Sequence, residues 1–328
     1  MTAEEIEIRP ATAIDRAQVV ELCQLALGWR PDQPNERFFA WKHDENAFGT
    51  SPIWVATDSD GRFLGVRTFM RWRFIDPSGA KLDMVRAVDT ATHPDAQGRG
   101  IFTKLTLGAL PSLRESGIAA VFNTPNDKSR PGYLKMGWSA VGRVAVTAAF
   151  RTPGAAIRVA RSRTGADKWS IPTDLGTSPD DAFADTDGVA RLLARRPRTQ
   201  IATDWSAEAL RWRYGFPELR YRVVPCGDSI DQGAIVFRLR RRGEAVEAAI
   251  CDVFVGSAGR GAARRALRLI GMASGADYRL MAGALDLRSP GFVPFPGSGP
   301  ILTWKPLARQ GVPVAADLGL RLGDVELF

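Results

Sequence analysis

The chain has 328 residues, with 44 Lys+Arg against 36 Asp+Glu, a formal charge of +8 and a hydrophobic fraction of 45%. That apolar content excludes a disordered or fibrous chain, and at about 100–200 residues per domain the length predicts two domains or one large one. No apolar run approaches the ~18 residues of a membrane span, and the acidic start MTAEEIEIRP is unlike a signal peptide. Cys23, Cys226 and Cys251 lie far apart, and His43 and His93 are the only histidines. This usage argues against a disulfide scaffold, a zinc ribbon or a multi-histidine metal site, so a reduced cytoplasmic protein without a metal is expected.

Residues 1–150 carry 18 basic and 17 acidic side chains, whereas 151–328 carry 26 and 19. The arginines form small scattered groups: Arg195/Arg196/Arg198, Arg238/Arg240/Arg241/Arg242 and Arg264/Arg265/Arg268. Nucleic-acid binders gather charge on one face with interleaved aromatics. The scatter favours an anionic ligand or partner over nucleic acid.

Taken in order, IEIRPA reads as a short strand, and Asp15 is placed to cap a helix with the apolar stripe Val19, Val20, Leu22, Cys23 and Leu27. PNERFFAWKH is a second helix begun at Pro34. PIWVAT and FLGVRTFMRWRFID are antiparallel strands joined at DSDGR, and KLDMVRAVDTATHP is a long fourth strand. GIFTKLTLGALPSLRESG is a helix stopped at Gly117, which Pro111 should kink or shorten. IAAVFNTPN is a fifth strand, SRPGYLKMGW a short helical turn and SAVGRVAVTAAF a closing strand.

Weak periodicity and prolines over 152–185 predict a linker with one basic helix, AAIRVARSR. Helices DGVARLLARR and SAEALRWRY follow, then strands RYRVVP, GAIVFRLRR and AVEAAICDVFV, helix GAARRALRLIGMASG and strand YRLMAGAL. A Pro/Gly-rich stretch, SPGFVPFPGSGP, precedes ILTWKPL and the terminal LGDVELF. QGRGIFTKLTLGAL at 97–110 lines up with AGRGAARRALRLIG at 258–271, and a strand precedes and follows each. Three elements in one register predict a duplicated fold. The expected division is a domain over 1–151, a linker over 152–185 and a second domain over 186–328.

Gln97-Gly98-Arg99-Gly100-Ile101-Phe102 joins a strand to a helix. Small residues let the backbone turn sharply, so that its N–H groups and the helix N-terminus form a seat for a pyrophosphate. Arg99 adds charge, and Thr103 and Lys104 on the first helical turn could reach further phosphates. The motif is neither a P-loop nor a dinucleotide fingerprint.

HPDAQGRGIF after a fourth strand, followed by helix, strand and SRPGYLKMGW, resembles the GNAT superfamily of acyl-CoA-dependent N-acyltransferases. The family signature is Arg/Gln-x-x-Gly-x-Gly/Ala. Gln97 and Gly100 match it, while Phe102 stands where a small residue is expected. A second family element is met by Tyr133, Lys135, Gly137 and Trp138. The resemblance covers residues 4–150, and a weaker one covers 186–328, where the Gln and Tyr are missing.

The resemblance implies an α/β (α+β) fold of two acyltransferase-type domains, each a mixed, mostly antiparallel sheet flanked by helices, with the second copy degenerate. It implies acetyl-CoA as co-substrate, no metal, and a small primary amine as acceptor, in a monomer or homodimer without nucleic acid or membrane. A longer acyl donor, O-acyl or aminoacyl transfer, and a non-catalytic acyl-CoA sensor or scaffold are the alternatives. The pantetheine arm would follow the strand edge from Asp89 through Thr90 and Ala91 to Thr92. The remaining coenzyme contacts would be Gln97, Gly98, Arg99, Gly100, Ile101, Phe102, Thr103, Asn126 and Lys135.

Tyr133 falls where the family often places the acid for the departing thiolate, and a phenol suits that task. Arg86 occupies the place of the carboxylate that some members use as base. Asp89 becomes the candidate base, although its parity is opposite to that of Arg86 unless a bulge re-aims it. The C-terminal carboxylate of Phe328, with Asp324 and Glu326 beside it, is a second candidate. Trp29, Phe38, Phe39, Trp41 and Phe48, interleaved with Asp32, Glu36, Asp44 and Glu45, suit either a core or an acceptor wall for a cationic amine. Cys251 reads as a small buried residue.

Overall fold

The computed structural model describes residues 6–162, 164–256, 259–283, 291–295, 297, 299–308 and 311–326. They fall into two compact units, a first within 1–74, 81–142 and 301–314 and a second within 75–80, 143–300 and 315–328. In chain order the elements are β1 (Glu7–Pro10), α1 (Arg16–Leu27), α2 (Asn35–His43), β2 (Ile53–Thr57), β3 (Phe63–Ile75), β4 (Lys81–Thr92), α3 (Ile101–Glu115), β5 (Ala120–Asn123), α4 (Arg130–Lys135) and β6 (Ser139–Arg143). Then come β7 (Val146–Phe150), α5 (Pro153–Arg161), α6 (Pro179–Ala182), α7 (Thr186–Ala194), β8 (Ala202–Thr203), α8 (Ala207–Tyr214), β9 (Arg222–Pro225) and β10 (Ala234–Arg242). The chain continues through β11 (Ala245–Phe254), α9 (Arg260–Ala273), β12 (Tyr278–Ala282), β13 (Val293–Pro294), β14 (Ile301–Pro306) and α10 (Leu322–Val325).

The sheet of the first unit runs β1-β2-β3-β4-β5-β14-β6 and that of the second β13-β7-β12-β11-β10-β9. In the first, β4 and β5 are parallel, with α3 as the crossover between them. In the second, β10 and β11 are antiparallel, β11 and β12 are parallel, and α9 is the crossover. The repeated order of elements is the topology expected of two mixed acyltransferase-type sheets.

The expected division at 151 differs from these units, which also assign 75–80 to the second. SAVGRVAVTAAF is two strands, because β7 leaves the first sheet and pairs with β12 from Phe150↔Tyr278 to Val146↔Ala282. The edge that β5 presents is filled instead by β14, with Thr303↔Asn123 to Pro306↔Ala120 in register. The segment 152–185 is no free linker. Thr152 caps α5 through a hydrogen bond to Ala155 N–H, and bridges Ile171↔Leu239 and Thr177↔Val223 tie the segment into the second unit.

Two local expectations also change. Pro111 lies inside α3, which continues to Glu115 because Ile101, Leu105, Ala109, Leu110 and Leu113 stay buried along one stripe. Asp15 points backward: it accepts the Thr12 N–H at 2.7 Å and holds Arg9 through both oxygens.

Three cores fix the first sheet between its helices. Val19, Val20, Cys23, Phe39, Val66 and Ala91 pack on the α1/α2 face. Phe69, Val85, Ala87, Leu113, Tyr133 and Trp138 pack on the α3/α4 face. Leu64, Ala96, Ile101 and Leu105 seal the start of α3. A Cβ at Gly65 would come within 2.5 Å of Ile101 Cγ2, so the close seat of α3 on the sheet needs that glycine.

The second unit is organised around buried charge. Glu326 is 6% exposed and accepts Arg238 Nε at 2.9 Å, Arg240 Nη1 at 3.0 Å and the Tyr221 hydroxyl at 2.7 Å. Burial alone would raise its pKa, but Arg238, Arg240 and Arg213 outweigh it and bring the carboxyl down to about 2. Arg213 and Arg238 of this half are therefore internal. Replacing Glu326 by Gln strands buried guanidinium charge, and denaturant unfolding should show a loss of about 3–5 kcal/mol. A lowered carboxyl stabilises the fold above its unfolded pKa, so the deficit should be full above about pH 4.5 and shrink as pH falls toward 2.

Candidate active site

β4 carries a left-handed residue in mid-strand, Asp89 at φ +41°. Val85 and Ala87 belong to the α3/α4 core, whereas Ala91, four residues beyond Ala87, belongs to the α1/α2 core. Strict alternation would keep 87 and 91 on one face, so one extra residue has been inserted and the parity reverses at Asp89. The bulge sends the Asp89 side chain toward α2 and turns Thr90 toward α3, where its hydroxyl meets Arg67.

The Asp89 carboxylate is closed off by the last turn of α2. Oδ2 lies 2.7 Å from Lys42 Nζ and 2.8 Å from His43 Nε2, and all three side chains are at most 5% exposed. His43 Nδ1 lies 3.0 Å from Ser51 Oγ. Burial pushes the His43 pKa down despite Asp89. The imidazole is therefore neutral, with its Nε2–H donated to the carboxylate and Nδ1 accepting from Ser51. Burial opposes charge on Asp89 too, but Lys42 and then His43 outweigh it and hold the carboxyl well below the usual range. The expected general base is thus held in an ion pair with Lys42 and His43 and does not line the cleft that opens beyond β4.

Past β4, Pro94–Ala96 form one 3₁₀ turn and Gly98 and Gly100 follow at φ +78° and +75°. No neighbour lies within 4 Å of a Cβ at either position, so backbone conformation, not space, requires glycine there. Gly100 caps the N-terminus of the 15-residue α3. This sequence of turns exposes successive N–H groups at the positive end of a helix, a geometry that fits a pyrophosphate.

A cleft of about 660 Å³ opens at this turn. Of the expected coenzyme contacts it is lined by Thr90, Ala91, Thr92, Gln97, Gly98, Gly100, Ile101, Phe102 and Asn126, joined by Ser129 and Gly132 of the α4 approach. Arg99, Thr103 and Lys135 do not line it, and Thr103 and Lys135 are exposed elsewhere on α3 and α4. Tyr133 is 4% exposed, edge-on to Phe102 at 5.3 Å and to Trp138 at 5.5 Å. It thus stands immediately behind one wall of the cleft.

Other sequence candidates lie elsewhere. Phe328 lies outside the described residues, while Asp324 and Glu326 are buried in the second unit, Asp324 against Thr203 at 2.5 Å. Trp29, Phe38, Phe39, Trp41 and Phe48 are all buried and form core rather than an acceptor wall. Cys251 is buried and free, with its thiol pushed far up by burial. Among the described residues no group of three or more His, Cys, Asp and Glu side chains could hold a metal ion, and no helix is long and apolar enough to cross a membrane.

The second unit keeps the bulge and loses the turn. Cys251 is the extra residue between the pairs Val236↔Asp252 and Phe237↔Ile250. Trp212-Arg213-Tyr214 ends α8 as Trp41-Lys42-His43 ends α2, and the Tyr214 hydroxyl donates to Asp252. Here no ammonium lies on the carboxylate, and burial with the neighbouring Asp324 pushes Asp252 up to about 7. Gly259 has φ −83° and Gly261 is within α9, so the left-handed turn of Gly98 and Gly100 has no counterpart. A separate cleft of about 630 Å³ is lined by Arg196, Arg198, Arg211 and Trp205.

A mixed sheet with a parallel β4/β5 pair and a left-handed glycine turn between the fourth strand and its helix is the arrangement of an acyltransferase-type domain. A family model described as an acetyltransferase (GNAT) domain matches residues 7–141, within the first unit and the start of the second. Mycothiol acetyltransferase of Rhodococcus jostii (strain RHA1) is 32% identical over 124 residues, 36% of this chain and 39% of that protein. The mycothiol acetyltransferase of Rhodococcus opacus (strain B4) is 32% identical over 112 residues, 33% of this chain and 35% of that one. The chain thus matches little more than a third of the length of these relatives.

Two solved structures are similar over nearly the whole chain. A probable N-acyltransferase from Enterococcus faecalis V583 has a TM-score of 0.63 at 12% identity, covering 92% of this chain and 73% of that one. A GCN5-related N-acetyltransferase from Anabaena variabilis ATCC 29413 has a TM-score of 0.65 at 13% identity, covering 93% and 73%. At that identity the likeness is one of fold.

The Asp89 clasp makes its own energetic prediction. Asp89→Ala strands the buried Lys42 ammonium and should cost about 3–5 kcal/mol, and adding Lys42→Met should return most of it. Urea unfolding of the two single variants and the double variant gives the coupling energy directly.

Proposed function

We propose that the first unit is an acetyl-CoA-dependent N-acetyltransferase for the primary amine of a small molecule. The observation that carries this reading is the meeting, in one cleft, of the Gly98/Gly100 turn, the α3 N-terminus and the bulged edge of β4. The acetyltransferase (GNAT) family model over residues 7–141 and the likeness to mycothiol acetyltransferases support it.

Coenzyme A bound in the cleft would supply the acetyl group as a thioester. The N–H groups of the turn at 98–103 hold the pyrophosphate, with Gln97 and Asn126 at the rim. The edge from Asp89 to Thr92, beyond the last β4–β5 pair at Arg86↔Phe122, is left to hydrogen-bond the pantetheine arm. The neutral amine attacks the thioester carbon, the new C–N bond forms and the C–S bond breaks. Tyr133 passes its phenolic proton to the departing thiolate and is re-protonated from solvent. With Asp89 locked in its ion pair, solvent takes the proton that the amine loses.

Tyr133→Phe removes the acid while keeping the ring against Phe102 and Trp138. Thiol release from acetyl-CoA over a panel of amines should show kcat lower by about 10²–10⁴ with little change in KM for acetyl-CoA. Tight coenzyme binding with no turnover on any amine would instead indicate a non-catalytic acyl-CoA sensor. Gly98→Ala and Gly100→Ala each impose about 1–2 kcal/mol of left-handed strain, and calorimetry should show CoA binding weakened by roughly tenfold in either variant.

A further inference from the structure

Arg67 lies in the middle of β3 and is fully buried. Its Nη1 donates to Thr90 Oγ1, and its guanidinium carbon stands 5.1, 5.5 and 5.2 Å from the ring centres of Phe69, Phe102 and Tyr133. Among the described residues its Nε and Nη2, both sealed from solvent, find no acceptor. Asp89, next to Thr90 in sequence, is turned to the opposite face and is already held by Lys42. Ring faces return part of the cost of burying such a cation, but they do not satisfy its in-plane N–H donors.

The two idle donors are adjacent. Nε and Nη2 form the side edge of the guanidinium fork, which matches the two oxygens of a carboxylate. Other arginines of this chain use that same edge on carboxylates. Arg30 reaches Asp32 at 3.0 and 2.7 Å, and Arg238 reaches Glu326 at 2.9 and 2.5 Å. Arg240 holds Glu247 in the same way. In Arg67 alone of these four does the edge lie idle, and two of its neighbours, Thr90 and Phe102, are walls of the cleft.

We propose that the free edge of Arg67 receives the carboxylate of a reactant, carried either by the amine acceptor or by the acyl chain of the donor. The proposal rests on the acyltransferase reading and names its substrate class. Phe102, half-buried at the position where the family signature has a small residue, is the plug between the edge and the cleft. The carboxylate enters as that ring turns aside.

The test uses matched reactants that differ in one carboxylate. Succinyl-CoA is compared with butyryl-CoA by calorimetric binding, and 3-aminopropionate with propylamine by kcat/KM at saturating acetyl-CoA. The wild type should favour the carboxylate-bearing member of one pair, and that pair identifies the source. In Arg67→Met the preference should fall at least tenfold, with Arg67→Lys retaining part of it as a point charge. Thermal unfolding of Arg67→Met should show an unchanged or higher Tm, since an uncompensated buried charge is gone. No preference in either wild-type pair, or one that survives Arg67→Met, overturns the proposal. So does an equal weakening of both acyl-CoAs, which would give the edge to the donor's own phosphates. A wild type that binds neither acyl-CoA fails the acyltransferase reading itself, a result distinct from all of these.

Discussion

On the last turn of α2 an ammonium and an imidazole close on a single carboxylate in β4, and the cleft depends on that closure. A left-handed residue in mid-strand costs about 1–3 kcal/mol and persists only where its surroundings over-determine it. Lys42 and His43 are those surroundings, at 2.7 and 2.8 Å from Asp89. The extra residue they hold reverses the parity of the strand. Asp89 goes to the helix face and Thr90 goes to the cleft.

The second unit shows what the same frame does without the turn. Its bulge at Cys251 and its contact from Tyr214 to Asp252 repeat the arrangement at another set of side chains. Without a lysine on it, Asp252 is pushed up rather than down. The helix that follows begins from a right-handed Gly259. The copies therefore share the strand bulge, while only the first has the left-handed glycine turn.

Much of this was legible in sequence wherever the causes are local. Val19 to Leu27 and Ile101 to Leu113 announce their helices by apolar spacing, and the Gly98/Gly100 pair announces a turn that only glycine adopts cheaply. The strand exchange was not legible. β14 pairs with β5 across roughly 180 residues of chain, and nothing in ILTWKPL distinguishes one sheet from the other. The fate of Asp89 was half legible: its parity pointed away from Arg86 and required a bulge, but its partners lie 46 and 47 residues upstream. Bulk charge misled in a different way. The arginines at 238 and 240 are not a ligand-binding surface, because Glu326 and Glu247 consume them internally.

The coenzyme's phosphates are proposed to sit on the backbone amides that follow the bulged strand. A crystal structure of the protein with coenzyme A decides this. The pyrophosphate is expected within hydrogen-bond distance of the amides at 98–103 and the pantetheine along Asp89 to Thr92. Phosphates bound instead in the arginine-lined cleft of the second unit, with the Gly98/Gly100 turn left bare, would contradict it.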